Sequence, residues 1–167
     1  PYHEAITPWQ RDFQVAIGRN NAKYFDANSW LYFTKEIFDL YYPSYGDTYT
    51  IYNGAIGMTY EQGGGPSSGL GVYQKEGDTL TLTDRLMHHY TTGLSTIEIA
   101  SQNADRLIRE FRKFFNDAVS TGTGTYKTYV IKKEDGDAQR MAALAALLDK
   151  NNIQYGSAKG NAKGYNY

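Results

Sequence analysis

Carboxylates, histidines and tyrosines are the residues of this chain whose types and spacing suggest chemistry. Glu61 closes the run Gly54-Ala55-Ile56-Gly57-Met58-Thr59-Tyr60-Glu61-Gln62, just before Gly63-Gly64-Gly65-Pro66. A carboxylate at the C-terminal end of an apolar strand, against a glycine-rich loop, stands at the edge where α/β proteins bind ligands. Burial beside Tyr60 and other aromatics would suit it to work as a general base. The same position also suits a structural hydrogen-bond acceptor, because structural networks hold acids too. Glu36 and Asp39 carry both readings, and a pair of carboxylates at the right separation would serve glycoside hydrolysis. The three histidines are His3, His88 and His89. A helical zinc motif needs two ligands one turn apart and a third donor nearby. His3-Glu4 lacks the second half of any His-x-x-Glu pattern. His88 and His89 are neighbours on a predicted helix, so their side chains diverge by ~100° and cannot share a metal from one face. Cysteine is absent, which rules out disulfides and thiolate metal sites. No complete zinc site is expected within the chain.

The elements that would position these residues can be read from periodicity and punctuation. Thr7-Pro8 starts a helix, with Thr7 as cap and Pro8 at the first helical position. Trp9, Phe13, Ala16, Ile17 and Tyr24 then recur at helical spacing, predicting a helix over about 8–24 that Asp26–Ser29 ends. The aromatic stretch Trp30–Tyr42 predicts a short helix over about 31–41, and Pro43–Asp47 a turn. Residues 54–62 read as a buried strand ending at Glu61, and 63–69 as a flexible loop. Thr79–Leu82 alternates as a strand. Thr83–Thr92 reads as a helix capped by Thr83. Ser95 with Glu98 reads as the capping box of a second, long helix. Its apolar stripe is Ile97, Ala100, Ala104, Leu107, Ile108, Phe111, Phe115 and Ala118. Ser120–Thr125 has the composition of a linker. Beyond it, a strand over 126–132, an alanine-rich helix over 135–150 and a strand from 152 predict a β-α-β unit. The domain organisation expected is therefore 1–121 and 122–167.

Several of these pieces resemble the zinc carboxypeptidase family, in a bacterial branch. They are Tyr32-Phe33-Thr34-Lys35-Glu36-Ile37-Phe38-Asp39, Tyr42-Pro43-Ser44-Tyr45-Gly46-Asp47, the Glu61 strand and His88-His89-Tyr90-Thr91-Thr92. The resemblance covers roughly residues 1–119. It implies an α/β fold, the C-terminal part of a three-layer α/β/α domain with a mixed central sheet, followed by the β-α-β unit. It implies hydrolysis of peptide bonds, with Glu61 as the general base that takes a proton from water and delivers it to the leaving amine, while zinc polarises the carbonyl and activates that water. It implies a loop tyrosine that closes over substrate. Tyr45 matches best, with Tyr42, Tyr49 and Tyr52 as rivals, and a loop-packing tyrosine is the other reading. The resemblance implies that the family's His-x-x-Glu pair, later His and substrate-binding arginine would all fall upstream of Pro1. Zinc is thus expected in a full-length parent and not in this chain, which is expected to be inactive alone. The implied substrate is a peptide or cell-wall peptide, and the implied location is periplasmic or secreted.

Composition bounds these readings. The 167 residues carry a net charge of −1, and no basic run or long apolar stretch points to nucleic acid or to membrane insertion. Sixteen tyrosines are unusual; their amphipathic rings either line a substrate surface or fill in between loops. Pro1-Tyr2-His3 at one end, and the polar Lys159–Tyr167 at the other, are expected to be cut from a longer chain. A second function class also fits the tyrosine and glycine content: a secreted carbohydrate-binding or interaction module built on aromatic platforms.

Overall fold

The computed structural model of the chain describes residues 2–36, 39–63, 69–122, 124–132 and 136–158. Among them are five helices and one small sheet, so the chain is mixed α/β. The order is α1 (Pro8–Ala27), α2 (Gly46–Tyr52), β1 (Gly71–Tyr73), β2 (Thr79–Thr81), α3 (Leu82–Gln102), α4 (Ala104–Ser120) and α5 (Ala138–Lys150). Two compact units are present, Pro1–Gly124 and Thr125–Tyr167. No helix among the described residues is long and apolar enough to cross a membrane.

α1 starts where its sequence says it should. Thr7 Oγ1 accepts from the Gln10 N–H at 3.3 Å, and Gln10 Oε1 accepts from the Thr7 N–H at 2.9 Å, a reciprocal capping box with Pro8 behind it. It runs past Tyr24 because its end is set by a Schellman turn rather than by the Asp26–Ser29 composition. Trp30 N–H reaches the Phe25 carbonyl at 3.0 Å and Ser29 N–H that of Asp26 at 3.1 Å, with Ser29 in the left-handed region at φ 56°. The turn lays Trp30 edge-on against Phe25, ring centroids 5.3 Å apart. α2 ends in the same way, on Gly54 at φ 78°. A Cβ on Gly54 would also sit 3.0 Å from the Phe114 ring of α4, so both backbone conformation and space require glycine.

The predicted strand over 54–62 and the mixed central sheet are corrected. Residues 56–62 pair with no strand among the described residues, and the one sheet is the antiparallel hairpin of β1 and β2, in register Val72↔Leu80. Side chains of α1 serve two carbonyls of this stretch, those of Ala55 and Gly57, and one at the end of α2. Gln10 Nε2 donates to Ile51 O at 2.8 Å and Ala55 O at 2.9 Å, and Gln14 Nε2 donates to Gly57 O at 2.6 Å. Buried backbone acceptors need partners from somewhere, and two glutamines one turn apart supply them. The described residues of 31–41 do not form the expected helix either. Residues 31–36 and 39–41 are irregular, Lys35 has φ 61°, and Leu40 bridges to Tyr2 beside the small core of Ile6, Leu40 and Ile51. Ile37 and Phe38 of that prediction, and 64–68 of the glycine loop, lie outside the described residues. The strand over 79–82 is present as β2.

The helix boundaries after it differ from expectation. Thr81, not Thr83, caps α3, through a box with Asp84 whose Oδ2 accepts from the Thr81 N–H at 2.9 Å. α3 then continues through residues 93–95, and the break comes at Asn103, which ends α3 and starts α4. Ser95 and Glu98 are not a cap. They face α1, where Asn20 Nδ2 donates to Ser95 Oγ at 2.9 Å and to Glu98 Oε2 at 2.8 Å, and Tyr24 O–H donates to the same Oε2 at 2.8 Å. The pattern that suggests a box inside α3 is a clasp between α1 and α3.

The second unit, taken by itself, holds α5 but not the β-α-β expected of it. Residues 126–132 and 152–158 form no ladder among the described residues, and Asp135 and 159–167 lie outside them. α5 closes on a third Schellman turn, with Asn152 at φ 54° and Ile153 N–H on the Leu148 carbonyl at 2.9 Å.

The clasp has a pH signature. The Asn20 hydrogen bond first, then that of Tyr24, holds the Glu98 carboxyl below its usual range, while the Tyr24 phenol is raised, chiefly by the same bond. A carboxyl whose folded pKa lies below its unfolded value stabilises fully above the unfolded value, and the stabilisation is lost as pH falls through the folded one. The urea midpoint of wild type is therefore expected to exceed that of Glu98→Gln at pH 7, with the difference shrinking as the pH is taken to about 3. A difference independent of pH would deny the carboxylate this role.

Candidate functional site

The first unit contains an open cavity of about 1660 Å³. Its walls come from α1, the irregular 29–36 segment, the start of α2, residues 58–63, the β1–β2 hairpin and the first turns of α3. Glu61 and Tyr45, the two residues singled out from the sequence, both line it. Of the rival tyrosines, Tyr42, Tyr49 and Tyr52 do not. Tyr52 is engaged elsewhere, donating its O–H to Tyr41 O at 2.6 Å. Tyr42 meets the Tyr45 ring edge-on at 5.8 Å.

Glu61 is exposed, which corrects the expectation that burial among aromatics surrounds it. Its neighbours are not exposed in the same way. Tyr60 O–H lies 2.7 Å from Thr96 Oγ1, and Gln62 Oε1 lies 3.1 Å from His88 Nδ1. All three line the cavity, but both neighbours are tied to α3 while Glu61 between them is exposed.

Tyr45 is the N-cap residue of α2, without a side-chain capping bond, and is 57 % exposed. Two residues on, Asp47 ties that end of α2 to the Glu61 segment, as Thr59 Oγ1 donates to Asp47 Oδ2 at 2.8 Å. The other carboxylate oxygen receives the Thr48 N–H at 2.7 Å. Gly57 completes the junction, because a Cβ there would collide with the Asp47 carbonyl oxygen and the Thr50 hydroxyl. Glu36 and Asp39 also line the cavity, and Asp39 Oδ1 accepts from the Tyr41 N–H at 3.2 Å.

The histidines divide as their directions require. His88 is 8 % exposed, with Trp30 and Phe25 ring centroids at 4.6 and 5.4 Å, whereas His89 is exposed. Desolvation lowers the His88 pKa, opposed by the nearby Asp84 carboxylate. His3 Nδ1 accepts from the Ala5 N–H at 3.1 Å and so serves a local turn. Among the described residues, no group of three or more His, Asp or Glu side chains converges as a metal site would need. Gln62, Asp47 and Thr59 were not singled out by sequence reasoning. Each acts by a long-range hydrogen bond that no local spacing announces.

Comparison with models of known protein families, with curated proteins and with solved structures finds no match to this chain.

The Gly57 junction makes a direct prediction. Gly57→Ala has no room for its methyl group without moving α2, so it is expected to destabilise the first unit by about 1–3 kcal/mol. Urea denaturation would read this as a lower midpoint at unchanged slope. A midpoint equal to wild type would show that α2 does not bear on residue 57.

Proposed function

We propose that this chain is part of a peptide hydrolase of the zinc carboxypeptidase type, contributing its general base, Glu61, and a substrate-side tyrosine, Tyr45. The fold that goes with this reading is the C-terminal part of a three-layer α/β/α domain. The substrates are peptides or cell-wall peptides, with no nucleic acid and no membrane insertion, and the location is periplasmic or secreted. The observation that carries the reading is the shared cavity: Glu61 and Tyr45, chosen from different motifs, line one wall system and are joined through Asp47 and Thr59.

The described residues do not by themselves assemble a zinc site; zinc in the full-length parent would be held by residues outside them and would supply carbonyl polarisation and water activation. What this chain's own residues do is limited and specific. Glu61, open to the cavity, accepts a proton from the attacking water and returns it to the departing amine. Tyr45, exposed and at the start of a helix, covers the bound peptide with its ring while its O–H seeks a polar partner on the substrate.

A second reading has one observation of its own. Tyr32, Phe33 and Tyr45 line the same cavity and are 45 %, 73 % and 57 % exposed. Exposed aromatic faces are what a carbohydrate-binding module needs, and such a module needs no base.

The deciding experiment uses the full-length protein that contains this chain, wild type against Glu61→Gln, on a panel of peptide substrates with zinc content measured on both. Equal zinc content and a loss of turnover of about 10²–10⁴-fold in Glu61→Gln is the expected result. Turnover by Glu61→Gln at the wild-type rate would remove the base, and a wild type that binds no zinc and cleaves nothing would overturn the enzyme reading. Calorimetric titration with oligosaccharides, unchanged by Glu61→Gln, would then establish the module.

A further inference from the structure

We propose that His88 and Gln62 form a positioning pair for Glu61, an inference that rests on the reading of Glu61 as the base. His88, Thr92 and Thr96 follow one another at four-residue spacing and so share one face of α3. That face receives the segment bearing Glu61 at two points, one on each side of the carboxylate. On the N-terminal side, the Tyr60 and Thr96 hydroxyls lie 2.7 Å apart, Thr96 Oγ1 also meeting Thr92 O and the Tyr60 O–H also meeting Met58 Sδ, each at 2.7 Å. On the C-terminal side, Gln62 Oε1 meets His88 Nδ1. An amide oxygen only accepts, so this pairing puts the imidazole proton on Nδ1.

The ring itself has little freedom. It is buried, with Trp30 on one side, Phe25 beside it and Gln62 at its nitrogen. The Schellman turn at the end of α1 is what delivers Trp30 to this place. Burial favours the neutral imidazole, opposed by Asp84 on the same helix and assisted by the charge of His89. A fixed donor for residue 62 and a fixed hydroxyl partner for residue 60 leave the backbone of residue 61 little room to shift. Proton transfer depends on placement at the sub-ångström scale, and small misplacements are costly. His88 borders the same cavity, but its one side-chain hydrogen bond among the described residues is to Gln62. It acts through Gln62 on Glu61.

The test measures kcat and KM for peptide hydrolysis in the full-length protein, together with the thermal midpoint of each variant. His88→Phe keeps a ring against Trp30 and Phe25 but removes the N–H, and Gln62→Leu removes the acceptor. Each is expected to lower kcat about tenfold with KM nearly unchanged. The double variant is expected to be no slower than either single one, because the two share one interaction. His88→Asn, whose amide N–H stands close to where Nδ1–H was, is expected to restore most of the loss. In the Glu61→Gln background, His88→Phe should cost nothing further in rate while lowering the thermal midpoint as much as it does in wild type. Wild-type kcat in His88→Phe, or a loss that His88→Asn fails to restore and that persists in the Glu61→Gln background, would overturn the inference. If Glu61→Gln is inactive while His88→Phe is not, only this inference fails. If Glu61→Gln is fully active, the base reading itself is what has failed.

Discussion

Backbone carbonyls must find donors, and in this protein the decisive ones find them on side chains. Residues 51–57 leave α2 and run past α1 without a strand partner among the described residues, and Gln10 and Gln14 take up the carbonyls of Ile51, Ala55 and Gly57. Gln10 is almost wholly buried in doing so, and its remaining oxygen closes the capping box of its own helix. A glutamine amide has two donors and one acceptor oxygen, and here each has a use. Removing it would take the side-chain donor from Ala55 O, leave Ile51 O with the Gly54 N–H, and open the half of the capping box that its oxygen closes. The course of the chain toward Glu61 therefore depends on a helix that precedes it by some forty residues.

α1 serves a second partner with its later turns. Asn20 and Tyr24 hold Ser95 and Glu98 of α3, while Phe25 and the Trp30 that follows it enclose His88. The helix thus fixes both the Glu61 segment and the α3 face against which that segment lies. Polar contacts bear much of this task. The buried apolar residues are few among those described, Ile6, Leu40 and Ile51 in one cluster and Phe13, Ile17 and Phe25 along α1, and many large apolar side chains of α3 and α4 are exposed, among them Leu86, Tyr90, Ile97 and Val119. Hydrogen bonds specify direction where apolar contact does not, so a unit that relies on them has its register set residue by residue.

How much of this was legible in the sequence follows from the range of each interaction. The start of α1 was, because a capping box and a first-turn proline act within four residues. So was β2, whose alternation is local. The ends of α1 and α2 were not, because Ser29 and Gly54 owe their left-handed backbone to turns whose signals are common in loops generally. The Ser95–Glu98 pair had the spacing of a cap and the function of an inter-helix clasp, a distinction that only Asn20 and Tyr24 can make. The apolar run over 54–62 suggested a strand because extended backbone and paired backbone share one pattern; the pairing is supplied by glutamines instead. Glu61 and Tyr45 were found through motif resemblance, and their common cavity was not visible in either motif. Asp47, Thr59 and Gln62 lie within those motifs, but their bonds to distant partners have no local signature.

The two residues at the cavity differ in how far the fold has already placed them. Glu61 lies between neighbours that are each tied to α3, so its backbone is held from both sides, although its carboxylate is open to solvent. Tyr45 has Asp47 two residues along and the edge of Tyr42, and its ring is more than half exposed. Ordering a tyrosine ring on a ligand costs side-chain entropy that a residue already fixed does not spend. A proton-transferring group gains from being fixed beforehand, since any search for its geometry is added to the barrier. A covering ring gains from the opposite, because substrate must enter before it is covered. The contrast in tethering between residues 45 and 61 is the one that these two roles would require, and it arises from which neighbours happen to find partners on α3 and which do not.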